Sequence, residues 1–196
     1  MAINREEWLN EAVSELRGIF DANGFPIPAN VRVTCGFPSK HARSRNRAIG
    51  EYHKASASAD GTHEILISPV VADPYEVFGI LVHELSHSAT PDCGHRGRFE
   101  QCIRKVWLEG KPSSTVIGET FRQNFGGLIE GLGAYPHAPL NVEADRKVQG
   151  TRMLKASCPH CNYTIRLTSK WANVRKPDGS LAGLPVCPVD GHQLSL

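Results

Sequence analysis

The residues best able to do chemistry are His83-Glu84-Leu85-Ser86-His87. On a helix, side chains four positions apart share a face, so the two imidazoles of this HExxH pattern can bind one zinc ion. Glu84, beside the first of them, can then take a proton from a water on that ion as its general base. The pattern is demanding: nine His and 13 Glu in 196 residues give roughly 0.03 matches by accident. A zinc site that keeps one position open for water takes its third protein ligand from elsewhere. His95 is the strongest candidate, because Ala89-Thr90-Pro91-Asp92-Cys93-Gly94 breaks the helix and lets the chain turn back toward the ion. Glu100, Glu109 and Glu119 are its rivals. Tyr135, His137 and Arg98 are available as donors to the oxyanion that a hydrolytic reaction would form.

A second group of metal-ligating residues lies near the end of the sequence. Cys158-Pro159-His160-Cys161 has the form of a zinc knuckle, and Cys187-Pro188 follows 26 residues after Cys161. The second half reads Cys187-Pro188-Val189-Asp190-Gly191-His192, without a fourth cysteine. Asp190 stands at the CxxC position, but His192 is the better zinc ligand chemically, and three Cys with one His is an accepted structural set. His192 is therefore favoured, with Asp190 as its rival. His160 is weaker, since it sits between two ligands. Cys35 and Cys102 have apolar neighbours and read as small core residues.

The elements that must position these groups can be read from periodicity. Trp8, Leu9, Ala12, Val13, Leu16, Ile19 and Phe20 recur on one face and predict a helix over 5–20. Val31–Cys35 predicts a strand, and 49–56 and 63–68 predict two more, joined through Ala59-Asp60-Gly61 in a hairpin. Asp73 and Pro74 start the HExxH helix, which should run to about Ser88. A further helix is expected from near His95 to Leu108, and another from about Ser113 to Gly131. The stretch 132–150 lacks a period and reads as a linker, and strand-like sequence around 163–168 follows within a cysteine-bracketed segment. The expected organisation is α+β: a domain over 1–131, a linker over 132–150 and a small module over 151–196.

Composition restricts the class. With 40% hydrophobic and 21% charged residues the chain is globular, not fibrous or disordered. Its apolar runs are too short to span a bilayer, and its polar start predicts no signal peptide, so a cytoplasmic protein with reduced cysteines is expected. The net charge of +2 hides two basic segments. Arg32, Lys40, Arg43, Arg45 and Arg47 form one; Arg146, Lys147, Arg152, Lys155, Arg166, Lys170, Arg175 and Lys176 form the other, and neither contains an acid. With Tyr163 and Trp171 interleaved, the second is suited to nucleic acid, its cations for phosphates and its rings for bases. A solvated basic surface is the plainer alternative.

His83-Glu84-Leu85-Ser86-His87 followed by Gly94-His95-Arg96-Gly97-Arg98-Phe99 resembles the SprT-like zinc metallopeptidases. That family carries HExxH on one helix, a His-Gly-x-x-Phe-like element opening the next, and often a zinc ribbon; here Arg96 displaces the glycine. Gly133–Leu140 and the Lys147-x-x-Gly150-Thr151-Arg152 run look like phage and bacterial versions, and the likeness covers about residues 70 to 196. The resemblance implies a zincin-like metallopeptidase domain built of a helix, a small antiparallel sheet, the HExxH helix and further helices, followed by a zinc-ribbon-like module. It implies His83, His87 and His95 as catalytic zinc ligands, Glu84 as base, and a second, structural zinc at the cysteines. Protein substrates are expected, including proteins associated with or crosslinked to DNA, in the cytoplasm, or the host cytoplasm if phage-encoded. The competing expectation is a nucleic-acid-binding or transcription-associated protein with a structural or inactive metal site.

Overall fold

Asn4 starts the first helix, its side-chain oxygen accepting from the Glu7 backbone N–H at 2.8 Å, and α1 runs Arg5–Ala22. The computed structural model describes residues 4–40, 47–144 and 153–196. The chain forms two units, Met1–Ala144 and Asp145–Leu196. Arg43, Arg45, Arg146, Lys147 and Arg152 of the basic segments, and the last residues of the expected linker, lie outside the described residues.

The apolar face of α1 buries Trp8, Leu9, Ala12, Leu16 and Phe20 completely, and Gly24, at φ 79°, turns the chain out of it. Three strands follow: β1 (Val31–Cys35), β2 (Gly50–His53) and β3 (His63–Ile67), with a short 3-10 turn at Ala55–Ala57. Their order is β1-β3-β2. β2 pairs with β3 antiparallel, as the Ala59-Asp60-Gly61 signal predicts, but β1 pairs with β3 parallel, so the sheet is mixed and not antiparallel. The alternation in β1 marks a strand without naming its partner.

The next helix, α2 (Pro74–Ala89), is capped by Asp73, whose carboxylate accepts from the Glu76 N–H at 2.9 Å. Val77, Phe78, Leu81, Val82 and Leu85 fix it in the core, each side chain contributing about 1.5–3 kcal/mol. α3 (Arg98–Lys105) begins later than expected, because Gly94 and Gly97, at φ 55° and 56°, hold His95 in turns ahead of it. The expected helix from Ser113 is instead a hairpin, β4 (Leu108–Lys111) and β5 (Ser114–Ile117), followed by α4 (Glu119–Leu132). Thr115-Val116-Ile117 is a β-branched run, which favours strand over helix. Phe78 meets Trp8, Phe121 and Phe125 at ring-centroid distances of 6.3, 6.2 and 5.1 Å, joining α1, α2 and α4.

The expected linker does not begin at residue 132. Tyr135 is buried against Trp8, with centroids 5.1 Å apart, and the Arg5 guanidinium lies 4.9 Å over its ring. Arg5 is only 6% exposed and donates to the carbonyls of Pro136 (2.9 Å), Pro69 (3.0 Å) and Ala138 (3.0 Å), while the Leu140 N–H reaches Pro69 O at 2.9 Å. Residues 133–140 therefore belong to the first unit.

In the second unit β6 (Leu154–Ser157) and β7 (Thr164–Leu167) form an antiparallel pair, and the short α5 spans Ser169–Ala172. Its buried residues are few: Ala156, Cys158, Leu167, Cys187 and Leu194. The described residues make a mixed α+β chain in which no helix is long and apolar enough to cross a membrane.

Replacing Arg5 by Ala takes the donor from the Pro136, His137 and Ala138 carbonyls, while Pro69 O keeps the Leu140 N–H. At about 1 kcal/mol or more for each, the first unit should lose about 3 kcal/mol of stability. Urea unfolding followed by tryptophan fluorescence measures it; a loss under about 1 kcal/mol would mean that water replaces the guanidinium.

Candidate functional site

His83, His87 and His95 converge, one ring nitrogen from each lying within 4.8 Å of the others. Helical spacing brings the first two together, with ring centroids 5.1 Å apart, and the glycine-bracketed turn brings His95 back over them. The Nε2 atoms of His87 and His95 stand 3.2 Å apart. The other rivals for a third ligand are elsewhere. Glu100 and Glu119 are exposed on α3 and α4, and the Glu109 carboxylate fills the space where a Cβ on Gly118 would sit, at the start of α4.

Phe99 is the platform for all three imidazoles. It is fully buried, its ring stacks on His87 at 4.1 Å, and it meets His83 and His95 edge-on, each at 5.2 Å. Tyr52 stacks on the His87 ring at 5.9 Å and is itself held by a 2.8 Å hydrogen bond between its hydroxyl and His63 Nδ1. His83 is oriented from the hairpin: its Nδ1 lies 2.9 Å from the Thr115 hydroxyl, which leaves Nε2 free. Ile117 anchors the hairpin on α2, where a Cβ on Gly79 would meet its Cγ2 at 2.6 Å.

Burial keeps these rings neutral. It lowers His83 to about 4, with His95 adding to the effect, and His87 to about 3, with His83 and His95 adding. His95 is lowered by burial and then by Lys40. Neutral imidazoles are the form that binds a metal. Glu84 moves the other way: burial, and secondarily Glu51, push its carboxyl up to about 8. Gly50 makes room for that carboxyl, since a Cβ there would lie 2.5 Å from its Oε1.

The site opens into a cleft of about 920 Å³, lined by Gly50, Glu51 and Tyr52 of β2 and by Thr115 and Ile117 of β5. None of the three expected oxyanion donors lines it. Tyr135 is buried against Trp8, His137 lies in the stretch tied to Arg5, and the Arg98 guanidinium sits 5.6 Å over the Phe25 ring. Sequence reasoning missed Thr115, Tyr52 and Gly50; only the β-branched run at 115–117 signalled the strand that carries Thr115.

In the second unit Cys158, Cys161, Cys187 and Asp190 form a group with ligand atoms within 4.8 Å of one another. Asp190, not the favoured His192, completes it, because the two Cys-Pro turns have the same backbone. The N–H of Cys158 donates to Tyr163 O at 2.8 Å, and that of Cys187 to His192 O at 2.7 Å. Asn162 N–H returns to Cys158 O and Gly191 N–H to Cys187 O, with Asn162 at φ 61° and Gly191 at φ 75°. Asp190 thus stands where Cys161 stands in the first turn, its oxygens 3.2 and 3.4 Å from Cys158 Sγ. Both groups are close enough to bind a metal ion.

No known family model, curated protein or solved structure matches the chain.

Thr115→Val keeps the shape of the side chain and removes the partner of His83 Nδ1. Metal affinity at the three-histidine group should fall about 10–100-fold, measured by chelator competition. An unchanged affinity would mean that the hairpin does not orient His83.

Proposed function

We propose that the chain is a zinc-dependent endopeptidase of zincin type, similar to SprT-like metallopeptidases, acting on proteins associated with or crosslinked to DNA. The observation that carries this reading is the convergence of three neutral imidazoles beside the buried carboxyl of Glu84, in an open cleft. The donor set fits zinc. Two nitrogens each 2.0–2.1 Å from one tetrahedral ion stand about 3.3 Å apart, and His87 and His95 bring theirs to 3.2 Å. Three histidines also leave the fourth position open, as hydrolysis requires.

His83, His87 and His95 would hold the zinc, which would supply Lewis acidity to a water and to a peptide carbonyl. Glu84 takes the proton of the attacking water and passes it to the leaving amine. A dication beside this carboxyl favours its ionised form, offsetting the burial that raises it. The sheet order leaves β2 at an edge, and its residues line the cleft, so an extended peptide can hydrogen-bond along it. Extended segments are expected as substrates, because a folded surface does not offer its backbone.

Binding to single-stranded DNA belongs to the second unit in this reading. Lys155, Arg166, Lys170, Arg175 and Lys176 are all exposed there. Trp171 is 61% exposed, with Lys170 Nζ 5.5 Å from its ring centre, and it borders a groove of about 540 Å³ with Met153, Arg166 and Leu184. Such a ring offers a face to an unpaired base, which a duplex does not. The same observation favours a second reading, a nucleic-acid-binding or transcription-associated protein with a structural or inactive metal site.

Glu84→Gln separates the two. It should keep its metal and its affinity for single-stranded DNA while cleavage of an unfolded protein falls at least about 100-fold. Undiminished cleavage would overturn Glu84 as base, and no cleavage by the native zinc-loaded chain would favour the second reading.

In the full chain, Lys170→Ala with Arg175→Ala should make the salt dependence of single-stranded DNA binding shallower by about 1.4 in log–log slope. An unchanged slope would mean that these cations are only solvated.

A further inference from the structure

Asp190 belongs to two groups at once. Besides its place with the three cysteines, it lies with His160 and His192, the ligand atoms of these three residues also falling within 4.8 Å of one another. The like backbones of the two Cys-Pro turns bring this about. His160 follows the proline of the first turn and His192 closes the second, and their rings meet with centroids 3.7 Å apart at an interplanar angle of 15°. His192 Nδ1 stands 3.4 Å from Asp190 Oδ1.

We infer that His160, His192 and one oxygen of Asp190 hold a second, exchangeable divalent transition ion, which shares Asp190 with the ion of the cysteine group. Three chemical arguments converge. Three thiolates and a carboxylate bring four negative charges to one divalent ion, so the cysteine group with its ion is left with two negative charges. A second dication at its rim neutralises them. A carboxylate has two oxygens and lone pairs enough to serve two ions. Two imidazoles and a carboxylate oxygen suit zinc, copper or nickel, and so exposed a group leaves positions to water, which makes its ion exchangeable where the thiolate-held one is not. Both rings are exposed, so they need only turn about χ2 to aim a nitrogen each at the carboxylate. The inference rests on the cysteine group holding an ion of its own, which thiol reactivity reports separately. It is independent of what the three-histidine group of the first unit does.

The test compares the full chain with His160→Ala plus His192→Ala, each dialysed against a small excess of zinc. Zinc is counted by atomic absorption, and the thiols by their rate of reaction with a thiol reagent. The native chain should hold one zinc more than the variant, whatever the first unit holds. A weak chelator should remove that ion from the native chain without exposing Cys158, Cys161 or Cys187. In the variant the three thiols should stay as protected as in the native chain. Equal zinc in the two proteins would overturn the inference. So would thiols that become reactive in the variant, since one of the histidines would then be a ligand of the cysteine-held ion itself. Thiols that react freely in the zinc-loaded native chain would overturn it as well, because there would be no first ion to share Asp190.

Discussion

The first unit must hold three imidazoles facing one point. The Nε2 atoms of His87 and His95 approach to 3.2 Å, and Phe99, Tyr52 and Thr115 each hold one part of the arrangement. Helix α2 supplies the i, i+4 pair, and the burial of its own Phe78, Leu81 and Leu85 fixes which way that pair faces. Phe99, locked in the core, sets the planes of all three rings. The hairpin fixes His83 through Thr115, and Tyr52 covers His87 from the sheet side. Removal from water keeps the rings unprotonated, so they neither repel one another as cations nor lose their lone pairs to protons.

The same burial gives Glu84 its character. Enclosed beside Gly50 and facing Glu51, its carboxyl resists ionisation, and a dication held by the neighbouring histidines would favour the charged form. The second unit follows a different economy of means. Its buried core has only five small or medium residues, and an ion held between its two like Cys-Pro turns would tie together what so little hydrophobic burial cannot.

What was legible in the sequence was local. HExxH, the Asp73-Pro74 helix start and the two Cys-Pro turns are each written within a few residues, and the break at 89–94 was enough to bring forward His95. What was not legible depended on distant partners. Ser113-Ser114-Thr115 suits a helix start as well as a strand, and the choice falls to contacts of Thr115 with His83 and of Ile117 with Gly79. The parallel pairing of β1 is likewise a matter of which strand lies beside it. Arg5 carries no signal in the sequence beyond its place at a helix start, and its role emerges only when residues 133–140 fold back onto it. His192 outranked Asp190 on intrinsic affinity for zinc, but the backbone register of the turn, not ligand strength, decides which side chain faces the cysteines.

In the proposed function this chain hydrolyses peptide bonds with zinc held by His83, His87 and His95. The most direct measurement is digestion of an unfolded protein in ¹⁸O-labelled water, with the new carboxyl termini read by mass spectrometry. The zinc-loaded chain should place the label at each new terminus. Chelation should abolish cleavage, zinc alone should restore it, and His95→Ala should stay inactive in excess zinc. An unfolded substrate left intact by the fully loaded chain, or cleavage indifferent to chelation and to the loss of His95, would overturn peptide hydrolysis at this site.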